Sequence, residues 1–301
     1  MKKDPFPKFI DYLTEEGRSP NTILNYRLDL QGFAEWFLQA NGESIKMPNI
    51  TPTDVRQYKQ FLQTVRKQKP ASINRKLATL RVLSSWAQEK SMIETSFVRG
   101  TKDIKGQDLA PRWLDRKEES KLRRELERGV AAAQTKPAKL QAIRDASIFN
   151  LLLNTGLRIS ELCSLKMDDL SLSDRKGAIL IRSGKGEKSR TIPLNQNARE
   201  AIRDWMKVRP QSTKDRLFSG KRGVGITPNA VQRRLTDYGR RVDIDVTPHV
   251  LRHTFAKKLT DSGISIEKVA ELLGHASLNT TRRYIKPSEA DLEKAVMQLE
   301  E

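Results

Sequence analysis

The segment TPHVLRHTF, residues 247–255, holds two of the chain's three histidines, and the third, His275, follows in LLGHAS. Thr247 can cap a helix with Pro248 at its first position, which sets His249, Arg252 and His253 on one face at i, i+3 and i+4. Leu251, Phe255 and Leu259 mark another face for the core. His275 comes directly after Gly274, the expected stop of the helix IEKVAELLG, where a side chain can point away from the core. Zinc is a poor match, because Val250 stands where the H-E-x-x-H pattern puts its glutamate. The GKGEKS stretch lacks the G-x-x-x-x-G-K-[ST] spacing of a nucleotide-phosphate loop. Phosphoryl transfer without metal or nucleotide would need guanidinium groups on the phosphate oxygens and a nucleophile. Arg252 is one candidate, and Arg158, expected in the first turn of a helix in TGLRISEL, is the other. Tyr284 in NTTRRYIK is the candidate nucleophile. A phenol with an ordinary pKa of about 10 needs positive surroundings to attack near neutrality, and Arg282 and Arg283 supply them.

The elements that would carry these groups can be read from periodicity and punctuation. SPNTILNYRLDLQGFAEWFLQANG opens with Ser19 as N-cap and Pro20 at the first helical position. It places Ile23, Tyr26, Leu30, Phe33 and Phe37 at three-to-four spacing and stops at Gly42. Further helices are expected from Thr51 and from Ser72, which makes the first hundred residues a helical lobe. Periodicity fails between Arg99 and Arg112, the best linker. Beyond it, helical patterns in LDRKEESKLRREL and LQAIRDASIFNLLLNTG precede two β-prone runs, Ala178 to Arg182 and Arg190 to Leu194, around a glycine-rich turn. They read as a hairpin with Lys185 at its tip. Helices are then expected from about Gln196, Pro228, Thr247, Ser265, Asn279 and Ser288.

Composition narrows the partner. The formal net charge is +19, and the first 108 residues carry 18 Lys and Arg against 12 Asp and Glu, so both halves are basic. A protein gripping one long polyanion with two lobes would show this distribution. Aromatic residues make up 6% of the chain, too few to suggest a surface for stacking unpaired bases, and duplex DNA is favoured. The single cysteine, Cys163, excludes an internal disulfide and reads as a small core residue. No apolar run approaches the length of a membrane span and no signal core follows the first lysines, so the chain is expected in the cytoplasm.

The motifs TGLRISELCSLKMDDL, SGKGEKSRTIPL, ITPNAVQRRL, TPHVLRHTFAKKL and ELLGHASLNTTRRYI occur in an order that resembles the tyrosine recombinases, the integrase-type DNA breaking and rejoining enzymes. SPNTILNYRLDLQGFAEWF and INRKLATLRVLSSWA look like that family's core-binding domain. The resemblance implies a mainly α, two-domain protein: an all-helical core-binding (SAM-like) domain over residues 1–105, and an α+β catalytic domain with a small antiparallel sheet over residues 106–301. It also implies site roles. Arg158 and Arg252 would clamp the scissile phosphate, and Tyr284 would form a 3′-phosphotyrosyl link and free a 5′-hydroxyl. Lys185 would protonate the leaving oxygen, His249 would assist proton transfer, and His275 would donate to a non-bridging oxygen. Glu161 would be a supporting acid and His253 structural. Exchanging a phosphodiester for a phosphotyrosine is close to isoenergetic, so no cofactor or metal is implied. The partners implied are duplex DNA recombination sites and a tetramer, of like chains or with a paralogue, in which the apolar side of PSEADLEKAVMQLEE docks in cis or in trans.

Two features depart from the compact chromosome-dimer resolvases of that family: the longer stretch 127–141, and Lys286 where a histidine is frequent. The alternatives are a topoisomerase IB-like enzyme that relaxes DNA as a monomer, and a DNA-binding protein on the same fold that has lost catalysis. Six intact catalytic-type residues speak against the second.

Overall fold

The computed structural model describes residues 4–105, 111–182, 189–210, 215–220 and 224–275, together with Leu278, Thr281 and Met297. The chain divides into two compact units, residues 1–108 and 109–301.

In the first unit four helices, α1 (Pro7–Glu15), α2 (Pro20–Asn41), α3 (Pro52–Thr64) and α4 (Pro70–Glu89), each begin on a proline. Proline suits that position because its missing N–H would have no helical partner there and its φ is already helical. Ser19 Oγ caps α2 by accepting from the Thr22 N–H at 3.1 Å, and Gly42 ends it at φ 73°. Thr51 and Asp54 form a reciprocal capping box on α3. α4 starts two residues ahead of the expected Ser72, because Pro70 rather than the serine takes the first helical position. The four helices bury Phe9, Phe33, Phe37, Tyr58, Ile73 and Leu77 in a common core. Asp29, buried on α2, accepts from Thr79 Oγ1 at 3.0 Å and from Arg75, both on α4, which fixes the two helices in register.

The second unit is built around α6 (Lys136–Thr155), which packs against α5 (Arg116–Ala131), α8 (Gln196–Val208), α9 (Pro228–Arg241) and α10 (Pro248–Asp261). Two shorter helices, α7 (Ile159–Ser164) and α11 (Ile266–Leu273), complete the described helices. The expected hairpin is present as β2 (Gly177–Ile181) and β3 (Arg190–Pro193), paired antiparallel with Ile181 opposite Arg190. A third strand, β1 (Leu170–Leu172), which periodicity did not reveal, adds to the other edge of β2 and gives the order β1-β2-β3. At three residues it is too short to alternate visibly. Among the described residues no helix is long and apolar enough to cross a membrane. The helices expected from Asn279 and Ser288 start outside the described residues.

Candidate active site

The site is assembled where three helices of the second unit end or begin. α6 stops at Gly156, φ 62°, a left-handed position whose Cβ, if present, would lie 2.8 Å from Leu273 Cδ2 and closer still to Phe255. α11 stops at Gly274, φ 64°, in a Schellman turn: the Gly274 N–H donates to Glu271 O and the His275 N–H to Ala270 O, both at 3.0 Å. Only glycine enters this backbone region without strain, so the two glycines decide where the last carbonyls of both helices point.

Those carbonyls receive the arginines. Arg252, on α10 and only 4% exposed, donates from Nη1 to Gly156 O and from Nη2 to Leu273 O, each at 2.7 Å. A helix C-terminus carries partial negative charge, which favours a guanidinium joining two such ends. Arg158 stands at the N-cap of α7 rather than within its first turn. Its Nη2 donates to Gly274 O at 2.7 Å and its Nη1 to Glu161 Oε1 at 3.0 Å, while its backbone N–H donates to Glu161 Oε2 at 2.8 Å. Glu161 thus caps α7 and holds the arginine that precedes it. Arg190, which the sequence had not singled out, donates from Nη1 and Nη2 to the same carboxylate at 3.0 and 2.8 Å and from Nε to Leu272 O at 3.0 Å. The signal that could have found it is the strand's alternation. Arg190 shares the inward face of β3 with buried Ile192, an unusual place for a charge without a partner.

His275 leaves the Schellman turn with its Nδ1 2.7 Å from Thr281 Oγ1. Partial burial lowers its pKa, and Arg252, Arg158, Arg190 and His253 lower it further, to about 4. The ring is therefore neutral near pH 7. If the Thr281 hydroxyl donates to Nδ1, the proton sits on Nε2 and that nitrogen is the donor. Replacing Thr281 by valine is expected to mix the two tautomers, read from the 15N shifts of the ring. It should also slow any reaction that uses the Nε2 donor by roughly tenfold, the net worth of about one hydrogen bond.

His249 is exposed on α10, and its ring meets that of His253 edge to face at 4.4 Å between centroids. Partial desolvation and the charge of Arg252 hold its pKa below the ordinary value. The imidazoles of His249 and His275 therefore bind protons less readily folded than unfolded. For His275 the unfolded chain holds the extra proton between about pH 4 and 6.5, so stability should fall as pH drops through that window. Acid titration of the melting temperature checks this, and His275→Asn should flatten the slope.

Burial pushes the Glu161 carboxyl up, but the hydrogen bonds and charges of Arg190 and Arg158 outweigh it and leave its pKa below the ordinary carboxylate value. Burial alone raises the Cys163 thiol to about 11, so it is no nucleophile at neutral pH. Lys185 and Tyr284 lie outside the described residues. Three guanidinium groups, one carboxylate and a neutral imidazole thus converge where an oxyanion such as a phosphate could be held.

Comparison with known proteins agrees with this chemistry. The family model described as "Phage integrase family" matches residues 113–291, and that of its N-terminal SAM-like domain matches residues 6–91. The chain belongs to the phage integrase family. It is 32% identical over 298 residues to the tyrosine recombinase XerA of Pyrococcus furiosus, covering 98% of this chain and 94% of that protein. It is also 32% identical over 304 residues to the tyrosine recombinase XerC of Corynebacterium glutamicum, covering 97% and 89%. In fold it is similar to the XerH site-specific recombinase, solved bound to its palindromic difH substrate after cleavage. The TM-score is 0.75 at 24% identity, with 95% of this chain and 82% of that chain covered. The resemblance read from the ordered motifs is borne out, and so is the fold class: a helical SAM-like domain followed by a catalytic domain with a three-stranded antiparallel sheet. The enzyme is a site-specific tyrosine recombinase.

Proposed function

We propose that this recombinase cleaves and rejoins duplex DNA through a 3′-phosphotyrosyl intermediate on Tyr284. The observation that carries the reading is the convergence of Arg158, Arg252 and His275 on the linked ends of α6, α7 and α11. In this scheme Arg158 and Arg252 hold the non-bridging oxygens of the scissile phosphate, and neutral His275 donates to one of them from Nε2. Tyr284 Oη attacks phosphorus, His249 assists removal of its proton, and Lys185 delivers a proton to the departing 5′-oxygen. Breaking one phosphate ester while forming another conserves the bond energy, so positioning and electrostatic stabilisation supply the catalysis. Residues 1–105 act as the core-binding domain and residues 106–301 as the catalytic domain.

The substrate places the enzyme with DNA in the cytoplasm. Solved relatives support a duplex partner: XerH is bound to difH, a Tn1549 transposon integrase to circular intermediate DNA, and a lambda integrase dimer to a core site. Four protomers on two DNA sites form the active assembly. Integration, excision and resolution share this chemistry and differ in DNA address, which base contacts and DNA deformability set. The test is covalent capture. The chain is incubated with nicked duplexes of randomised sequence, denatured in SDS, and the adduct mapped by peptide mass. DNA on the peptide containing Tyr284, with a free 5′-hydroxyl released, is the expected result, whereas an adduct on another residue overturns the assignment.

A further inference from the structure

Both Glu161 oxygens are fully engaged: each accepts once from Arg158 and once from Arg190, which fills the roughly four lone-pair directions a carboxylate offers. Arg190 is 12% exposed and its carboxylate partner 13%, so the bidentate pair is well shielded from water. The same guanidinium reaches Leu272 O at the end of α11 and lies close against Gly274. A Cβ there would come within 2.6 Å of Arg190 Nη1 and 2.8 Å of Cζ. Gly274 in turn gives its carbonyl to Arg158, and His275 follows it. Arg190 opens β3, so one planar group ties the sheet, the start of α7 and the end of α11 together.

We propose that Arg190 is a positioning residue of the recombinase site, one that sets the spacing between Arg158 and His275 by bridging Glu161 and the last turn of α11. The proposal rests on the function argued above and adds a residue to it. Arg190 acts through Glu161, Gly274 and Leu272 and is not assigned a contact with DNA. Lysine cannot replace it, because one ammonium nitrogen cannot span two carboxylate oxygens and a carbonyl in the planar spread of a guanidinium. Misplacement of a clamp by about 1 Å is enough to slow chemistry by roughly 10²-fold.

Two variants separate geometry from charge. Arg190→Lys keeps the positive charge and loses the bridge, while Arg190→Met loses both. The groups facing the His275 ring are Arg252 and His253 from α10, Arg158 from the start of α7, Arg190 from β3 and Thr281. Because the chain has three histidines, ring NMR titration of the full-length protein resolves His275 directly. Adduct formation on nicked randomised duplexes should slow by roughly 10²-fold in both variants. Duplex affinity by anisotropy and far-UV circular dichroism should stay as in the parent protein. The His275 titration should move up in Arg190→Met and stay in place in Arg190→Lys. Three outcomes overturn the proposal: a parental rate in Arg190→Lys, a loss of rate that only tracks the unfolded fraction, or a His275 titration unmoved in Arg190→Met. Failure of the parent protein to form an adduct on Tyr284 would instead sink the proposed function, while the titration would still report where Arg190 stands.

Discussion

Exchange of Tyr284 for phenylalanine is expected to remove the covalent adduct and to leave duplex binding unchanged. The change deletes one oxygen, the atom proposed to attack phosphorus. Loss of a nucleophile that acts as part of a unit costs at least about 10⁴-fold in rate elsewhere, and a similar loss here falls below detection on a gel. Binding rests on different physics. A chain of net charge +19 grips DNA mainly through phosphate contacts and counterion release, which the loss of one hydroxyl oxygen leaves in place. The salt dependence of affinity should therefore be the same in both proteins. Capture in SDS and anisotropy over a salt series test the two halves. A residual adduct in the phenylalanine variant would move the nucleophile elsewhere.

Replacing Arg252 should damage both rate and stability, and the two losses come apart by choice of substituent. Arg252→Lys keeps the charge but gives up the fork that spans Gly156 O and Leu273 O. In the proposed scheme one developing charge on the phosphate then loses its preorganised donor, and adduct formation should drop by about 10²–10³-fold. One carbonyl at a helix end also loses its partner, for a stability cost of about 1–3 kcal/mol. Arg252→Ala abandons both carbonyls and leaves a cavity in place of a residue only 4% exposed, so its cost should exceed that of lysine by a further amount of about that size. Urea denaturation of the two variants checks the order, and equal stability in both would show that the carbonyls find water instead. Removing the charge should also let the His275 pKa rise, since Arg252 is the largest of the charges that lower it.

Much of this protein follows from its sequence because the relevant signals are local. Ser19-Pro20, Thr51-Pro52, Thr227-Pro228 and Thr247-Pro248 start helices where a hydroxyl and a proline meet the needs of the first turn. Gly42, Gly156 and Gly274 end helices because a left-handed residue must follow. The motifs that carry the family are short contiguous runs of residues, and their order along the chain sufficed for the resemblance. The tertiary structure alone decided what joins those elements. Arg252 meets a carbonyl 96 residues away, Arg190 a carboxylate 29 residues away, and Arg158 a carbonyl 116 residues away. No spacing rule relates such positions: two of the partners are main-chain oxygens, which every residue type possesses and whose direction depends on how a helix terminates, and the third is a carboxylate on another element. Strand β1 belongs to the same class, since three residues become a strand only when β2 offers them an edge. Motifs and local signals could name Arg158, Arg252 and the helix ends, but only packing could turn the carbonyls of α6 and α11 toward them.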